Sequence, residues 1–326
     1  MRFLVTGATG LVGNNLVRQL LEQGFPVRAL ARSRQDQRPF QGLDVEVVQG
    51  DIGEPASLRA ACEGAAVVIH AAGLVQIGWS RREEHERVNV QGALNVAAAA
   101  RQAGARLVFV SSVNALGLGR REAPANEQTA LPGIVECPYV LSKRRAELGI
   151  QEEMQRGLQA VIVYPGFLLG PWDWKPSSGA MLLEVAKINP LLAPVGSYSV
   201  CDVRDVSAGI VTAAKISPSG SRYILAGHNT TYREAWRRFA KLAGKSGPWF
   251  PAGPFNRNVL AVAGDLWGKL SGREPEFNSA GVWMSVQEHC FSSALAQREL
   301  GYQIRPLQET IDDTWRWFGE YGYREK

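Results

Sequence analysis

Thr6-Gly7-Ala8-Thr9-Gly10-Leu11-Val12-Gly13 follows directly on the apolar run Phe3 to Val5 and leads into a helical pattern that begins near Asn15. In the order strand, glycine turn, helix, glycine serves three ends. It permits the tight turn, lets the backbone approach a pyrophosphate, and allows the helix to pack close to the strand. The helix N-terminus adds unpaired N–H groups and a dipole that favours phosphate. The same three glycines in isolation would be an ordinary structural turn. Their place after the first strand makes them a dinucleotide cradle, with Gly7, Thr9, Gly10, Leu11, Val12 and Gly13 as its residues.

Further short apolar runs rich in Val and Ile recur at Val27 to Leu30, Val45 to Val48, Val67 to Ile69, Leu107 to Val110 and Val161 to Tyr164. Continuous apolarity, without alternation, is what a strand covered on both faces requires. Helical stretches fall between the runs, at Asn15 to Glu22, Ser57 to Cys62 and Gln91 to Gln102. This rhythm predicts an α/β Rossmann fold, a doubly wound parallel sheet with helices on both faces. After Gly166 the rhythm breaks and Pro and Trp become frequent, which predicts a smaller mixed α/β substrate domain. The expected division is residues 1–171 for the dinucleotide-binding domain, rejoined by 199–217, with 172–198 and 218–326 forming the substrate domain. The strand-like piece Tyr223 to Ala226 falls in the latter.

The tip of the second strand decides which dinucleotide is preferred. An acidic residue there bonds the ribose 2′-hydroxyl of NAD, but Ala29-Leu30-Ala31-Arg32-Ser33-Arg34 carries no carboxylate. Arg32, helped by Arg34, is suited to charge-assisted bonds with the 2′-phosphate of NADP. The bland alternative is a pair of solvated arginines, so NAD stays open. After the third strand, Asp51 and Ile52 are expected beside the adenine. After the fourth, Ala71, Ala72 and Gly73 are small enough to let the chain pass under the cofactor, and His70 reads as a packed strand-end histidine.

Ser111 and Ser112 end the fifth strand, and Tyr139 and Lys143 lie in the next helical stretch. Residues four apart share a helix face, so hydroxyl and ammonium can enter one cleft. A neighbouring ammonium stabilises a phenolate and brings a tyrosine closer to use as an acid or base near neutral pH. A Tyr–Lys pair at this spacing is common by chance. The ordered set of glycine turn, Asn89, Ser112, Tyr139 and Lys143 is not.

In that order, together with the HxAxG segment from His70 and Tyr164-Pro165-Gly166 leading to Gly170-Pro171, the chain resembles the extended short-chain dehydrogenase/reductase superfamily over essentially its whole length. Gly170-Pro171-Trp172-Asp173-Trp174-Lys175-Pro176-Ser177 and the Cys137-Pro138-Tyr139 context look like its dihydroflavonol 4-reductase-like branch, which includes bacterial proteins labelled hopanoid-associated sugar epimerases. The resemblance implies hydride transfer with Tyr139 as acid/base and Ser112 on the substrate oxygen. It implies that Lys143 holds the nicotinamide ribose and lowers the tyrosine's pKa, that Asn89 supports a proton relay, and that Ser111 lies at the cofactor. The backbone of Pro165, Gly166 and Leu168 is implied at the nicotinamide carboxamide. Two departures stand out: Tyr164 replaces an arginine frequent before the proline, and Asp202 stands where relatives often have histidine.

Three reactions share this constellation: carbonyl reduction, nucleotide-sugar epimerisation and dehydration. Dehydratases resemble one another in an Asp-Glu pair after the strand-end Ser or Thr, and Val113-Asn114 stands there instead. The preferred reading is an NADP-dependent reductase of a small-molecule ketone or aldehyde, or a dehydrogenase of the alcohol. An NAD-dependent nucleotide-sugar epimerase and a non-catalytic NADP sensor are the alternatives. Trp172, Trp174, Trp267 and Trp283, with the apolar stretch Val259 to Leu270, either line a pocket or fill core, while Trp315 and Trp317 read as core or dimer contacts.

The chain has 326 residues, 45% apolar and 21% charged, which allows a large core and excludes a disordered or fibrous class. Its net charge of +5 is scattered, so nucleic acid is not expected as a partner. The four cysteines lie far apart without CxxC spacing, which argues against a metal site or a disulfide framework. Neither a leader nor a spanning apolar stretch is read, so stable membrane insertion is not expected; Val259 to Leu270 could touch a membrane surface, but its small basic character disfavours that reading. The expectations are a cytoplasmic protein and a homodimer paired through the helix containing Tyr139 to Gln151.

Overall fold

The computed structural model describes residues 1–33, 35–131, 133–272, 274–275 and 277–324. The first half runs through β1 (Phe3–Thr6), α1 (Leu11–Glu22), β2 (Val27–Ala31), β3 (Glu46–Gln49), α2 (Pro55–Cys62), β4 (Val67–His70), α3 (Arg82–His85), α4 (Gly92–Gln102), β5 (Arg106–Val110), α5 (Pro138–Gln155) and β6 (Ala160–Pro165). The second half runs through β7 (Phe167–Leu169), α6 (Ser178–Ile188), β8 (Leu192–Ala193), β9 (Ser197–Asp202), α7 (Val203–Ile216), β10 (Arg222–Leu225), β11 (His228–Thr231) and α8 (Tyr232–Leu242). It ends with β12 (Phe250–Pro251), α9 (Pro254–Ser271), α10 (Ser279–Ser285), β13 (Glu288–His289), α11 (Ala294–Leu300) and α12 (Leu307–Glu320).

The main sheet has seven strands in the order β10-β6-β5-β4-β1-β2-β3, all parallel, with Val5 beside Ile69 and Val108 beside Val161. Alternate strand residues enter two different cores. Leu4, Val68, Leu107 and Ile162 meet α2, α4 and α5 on one face. Phe3, Val5, Ile69, Val108 and Val161 meet α1, α7 and α11 on the other. Both faces are therefore dry, which is why these strands read as unbroken apolar runs. The reversal of strand order between β1 and β4 opens a crevice at the C-terminal edge of the sheet.

A four-stranded second sheet, β11-β9-β13 with β7 also on β9, packs with α6, α8 and α12 around Trp174, Phe239 and Phe318. Two assignments from the sequence are corrected here. The strand Tyr223 to Ala226 was placed in the substrate domain, yet β10 hydrogen-bonds β6 as the outer strand of the main sheet. Tyr223, Ile224 and Leu225 are buried on both faces, as in the inner strands; Pro and Trp frequency marks the intervening lobe and not the chain's return. The stretch Ser199 to Ala214 divides: its strand belongs to the second sheet as β9, while its helix α7 lies across α1 on the main one.

The predicted helix from Gln91 begins earlier. Residues 82–102 run continuously, with a π-helical turn over Glu86–Gln91 between α3 and α4. Such a turn locally widens a helix and redirects one side chain. Here that residue is Asn89, which is buried.

Candidate active site

Gly7 has φ +70°, and a Cβ there would sit 2.6 Å from the Ala72 nitrogen. A Cβ on Gly13 would collide with the Gly7 carbonyl oxygen. Those two glycines are thus taken up by packing of the turn upon the 71–72 segment and upon itself. Gly10 is different: its φ is −90°, and its Cβ would meet only the Gly7 oxygen at 3.4 Å. It caps α1 with no side-chain bond to the first-turn N–H groups and no carboxylate in that turn. The open backbone over a bare helix N-terminus fits the pyrophosphate of a dinucleotide. Leu11 and Val12 begin that helix, and Thr9 precedes its cap.

Arg32 is exposed just beyond β2, and among the described residues no carboxylate pairs with it. Asp36, the acidic residue of the following loop nearest to it in sequence, is turned to Arg38 at 2.9 Å. Arg34 lies outside the described residues. Asp51 accepts the Gly53 N–H at 2.7 Å, which fixes one carboxylate oxygen within its own turn. Ile52 fills the notch left by Gly92, and its carbonyl accepts from Asn95.

Beyond β4, the Ala71 N–H donates to the Thr6 carbonyl, so the strand ends share one edge. A Cβ at Gly73 would lie 3.3 Å from Asn89 Oδ1 and 3.4 Å from Lys143 Nζ, so Gly73 borders both. The structure shows the Asn89 side chain in a structural task beside the implied support of a relay. Its Oδ1 accepts from the Leu74 N–H at 2.7 Å, and its Nδ2 faces the Leu74 carbonyl, Ser142 Oγ and His85 Nδ1. The π-helical turn carries the side chain across to the loop, where it clamps the floor of the cleft and bonds to neither Tyr139 nor Lys143. His70 is buried, bonded through Nδ1 to Thr6 Oγ1 and stacked on Phe109, and burial pulls it down to about 3, as fits a packed neutral imidazole.

Pro138 stands at the first position of α5, where its missing N–H has no helical partner to lose. That fixes Tyr139 at the mouth of the helix, Lys143 one turn on, and Glu147 a further turn on. Burial pushes the Tyr139 phenol up, and the Ser112 hydroxyl hydrogen-bonded to it acts against the rise. Burial also pulls the Lys143 ammonium down to about 8, opposed by the charge of Glu147. The expected effect of Lys143 on Tyr139 is not what governs the phenol here. Lys143 Nζ donates to the Val110 carbonyl at 3.1 Å, and desolvation controls the tyrosine.

Glu147 was not read from the sequence. It is buried and accepts from the Ser111 hydroxyl and, at 3.0 Å, from the Tyr164 hydroxyl. Tyr164 in turn accepts from Arg222 Nε at 2.7 Å, and Arg222 reaches Glu147 at 3.8 Å. Ser111, expected at the cofactor, therefore points its hydroxyl into this network. The guanidinium of this network comes from β10, with Tyr164 as the bridge. The spacing Tyr139, Lys143, Glu147 was the available signal; the partners could be found only in three dimensions.

Pro165, Gly166 and Leu168 leave the end of β6, and a Cβ at Gly166 would press within 2.6 Å of the Ser199 carbonyl oxygen, so the chain is drawn tightly into the second sheet. Around Tyr139 the wall is apolar: Val140 and Ala280 are buried with it, and Ile77, Ile134, Val135 and Met284 close the cluster. Trp172 and Trp174 are elsewhere. They meet Trp317 and Tyr321 edge to face, Trp174 Nε1 donates to Asn14 Oδ1, and Arg18 lies over Trp172, so they bind the second lobe to α1. Trp317 is core, as expected, and Trp267 is exposed.

Residues 3–225 match the model of the NAD dependent epimerase/dehydratase family. A putative dihydroflavonol 4-reductase of Synechocystis sp. is 33% identical, covering 98% of this chain and 95% of its own. Sterol demethylase protein B of Methylococcus capsulatus is 32% identical, with 99% of each chain covered. The crystal structure of gox2253 superposes with a TM-score of 0.86 at 32% identity over 99% of both chains.

Proposed function

Since the chain belongs to the NAD dependent epimerase/dehydratase family, within the extended short-chain dehydrogenases/reductases, and is an NAD(P)-dependent oxidoreductase of that type, we propose that it reduces an apolar ketone or aldehyde with NADPH. The observation that carries this reading is the apolar cluster that contains Tyr139, with Val140 and Ala280 in it and Ile77, Ile134, Val135 and Met284 packed against it. A nucleotide sugar would need polar partners there, whereas a ring-bearing or aliphatic carbonyl compound would need none beyond Ser112 and Tyr139. The likeness to a protein named as a dihydroflavonol reductase points the same way.

When bound, the nicotinamide cofactor supplies and accepts hydride; the chain's residues bind, orient and move the proton. Gly10 and the first turn of α1 hold the pyrophosphate, and Arg32 takes the 2′-phosphate. Lys143, between Gly73 and the Val110 carbonyl, is placed for the nicotinamide ribose. Ser112 steadies the substrate oxygen while the Tyr139 hydroxyl donates its proton to it, so that no bare alkoxide forms. A phenol raised by burial is a reservoir that keeps this proton until negative charge develops beside it. A homodimer paired through the outer side of α5, where Leu148 is exposed, is part of the proposal.

Calorimetric titration with NADP+ and NAD+ tests the cofactor choice. NADP+ is expected to bind more tightly, and Arg32→Ala to weaken it by about 10- to 100-fold, the worth of a charge-assisted bond, without affecting NAD+. Tighter NAD+ binding, or NAD+ retained through purification, would instead favour the epimerase reading. A panel of apolar carbonyl compounds with NADPH follows the first outcome, nucleotide sugars the second.

A further inference from the structure

The helix α9 turns its bulk outward. Its inner side is made of small residues: Ala261 and Gly264 are buried, a Cβ at Gly264 would collide with the Phe277 carbonyl oxygen, and Asp265 accepts the Ser279 N–H at 2.9 Å. On the opposite side, Phe255, Val259, Val262, Leu266 and Leu270 follow one another at helical steps, with Phe255 79%, Val262 67% and Leu270 76% exposed. Leu260 and Trp267 widen this stripe. Just before the helix, exposed Trp249 and Phe250 hydrogen-bond to the backbone of exposed Leu191. An apolar face of this extent directed away from the protein body marks a contact surface.

We propose that this face docks onto an anionic phospholipid bilayer, with α9 lying in the plane of the headgroups. The charges around it select that partner. Within α9 the one acid, Asp265, is turned to the Ser279 N–H at 2.9 Å, while Lys269 is exposed beside Leu266 and Leu270 on the outer stripe. The polar residues of α9 itself are Asn256, Arg257, Asn258, Asp265, Lys269 and Ser271, so no carboxylate shares the outer stripe. Tryptophan and phenylalanine at the level of the headgroups, apolar side chains below and basic groups beside them are the composition of an interfacial helix. Among the described residues no helix is long and apolar enough to cross a membrane, so the contact is one of surface docking.

A second copy of the chain is the weaker occupant. A helix of 18 residues is about 27 Å long and about 10 Å across. Even doubled for roughness, that strip falls short of the roughly 800 Å² that each partner of a stable dimer buries.

The docking face is also joined to the reacting groups. Glu274, just after α9, accepts the Trp79 N–H at 2.6 Å and the Ser80 N–H at 3.0 Å, and Asn278 Nδ2 donates to the Ile77 carbonyl at 2.8 Å. The next helix, α10, places Ala280 in the apolar cluster that contains Tyr139 and packs Met284 on it. A substrate leaving the bilayer beside α9 thus meets the apolar wall of the cleft directly. The docking itself does not depend on which carbonyl compound, if any, is reduced.

The test is co-sedimentation of the full chain with vesicles of phosphatidylcholine alone and of equimolar phosphatidylcholine and phosphatidylglycerol, with light scattering and thermal melting of each variant. The chain is expected to sediment with the anionic vesicles, less so at high salt. Val262→Asp with Leu266→Asp is expected to weaken this at least about tenfold at unchanged Tm and unchanged oligomeric state. Lys269→Glu is expected to weaken it on the anionic vesicles alone. Absence of sedimentation with either vesicle, or binding untouched by the double substitution, overturns the proposal. So does a double variant that turns a dimer into monomers while vesicles bind nothing, because the face then belongs to a second copy.

Discussion

Tyr139 is held by three kinds of neighbour: the apolar cluster around its ring, the Ser112 hydroxyl at its oxygen, and His85 edge-on at 6.1 Å. Tyr139→Phe keeps the first and third and deletes only the transferable proton. Reduction by NADPH is therefore expected to fall by roughly 10²- to 10⁴-fold with cofactor affinity and Tm unchanged; an unaltered rate in steady-state assays would sink the acid/base assignment. Glu147 acts one turn further from the chemistry. Its charge is what opposes the fall of Lys143 to about 8, so Glu147→Gln should lower that ammonium further. The alkaline limb of the pH–rate profile should then move to lower pH, whereas a Glu147 of purely structural importance would lower the rate without moving the limb. Tyr139, Lys143 and Ser112 were legible because their order and spacing survive in one dimension. Glu147, Tyr164 and Arg222 were not, since a network drawn from α5, β6 and β10 exists only once β10 has joined the sheet.

At the level of elements, the glycine turn and α1 were the most legible part, and the structure divides the labour of the three glycines in a way that can be measured. Alanine at Gly13 would suit a helix by about 1 kcal/mol in propensity, but its Cβ has no room against the Gly7 carbonyl. Gly13→Ala is expected to lower Tm in a calorimetric melt. Gly10 already has a backbone conformation open to any residue, and its Cβ would be only in ordinary contact at 3.4 Å. Gly10→Ala should thus melt like the parent yet lose about tenfold or more in dinucleotide affinity, because the methyl stands where the phosphate approaches. The reverse pattern would mean that the turn is merely structural. The strands were read correctly because burial on both faces leaves a continuous apolar signature. The π-helical turn at Asn89 left none, since one inserted residue does not disturb a helical pattern enough to be seen. Apolar periodicity in α9 was equally ambiguous: it records that a face is apolar, and only the packed body shows that this face points outward.

For the molecule as a whole, two buried titratable groups of the second lobe make opposite demands on pH. Asp173 sits near the N-terminus of α6, among Trp172, Trp174 and the Ser177 and Gly179 N–H groups, and burial raises it to about 7. Its folded state binds a proton that the unfolded chain releases near 4, so its cost to stability is absent in acid and grows as pH rises from about 4 to 7. His289, buried in β13 of the second sheet, is pulled down to about 4 by its burial. The unfolded chain takes up its proton near 6.5, so its cost is absent at neutral pH and grows as pH falls from about 6.5 to 4. Asp173→Asn should therefore raise Tm more at pH 7.5 than at pH 4.5, by an amount on the order of 1–3 kcal/mol in stability. His289→Leu should do the opposite, improving the protein's relative standing at pH 4.5, because burial of the imidazole outweighs the backbone contact with Met284 that opposes its fall. Melting curves of the two variants and the parent at both pH values decide the matter. If the two substitutions changed Tm equally at both, these groups would have to be solvated in the folded protein, and the aromatic seam joining Trp174 and Asn14 across the lobes would have to be open to water.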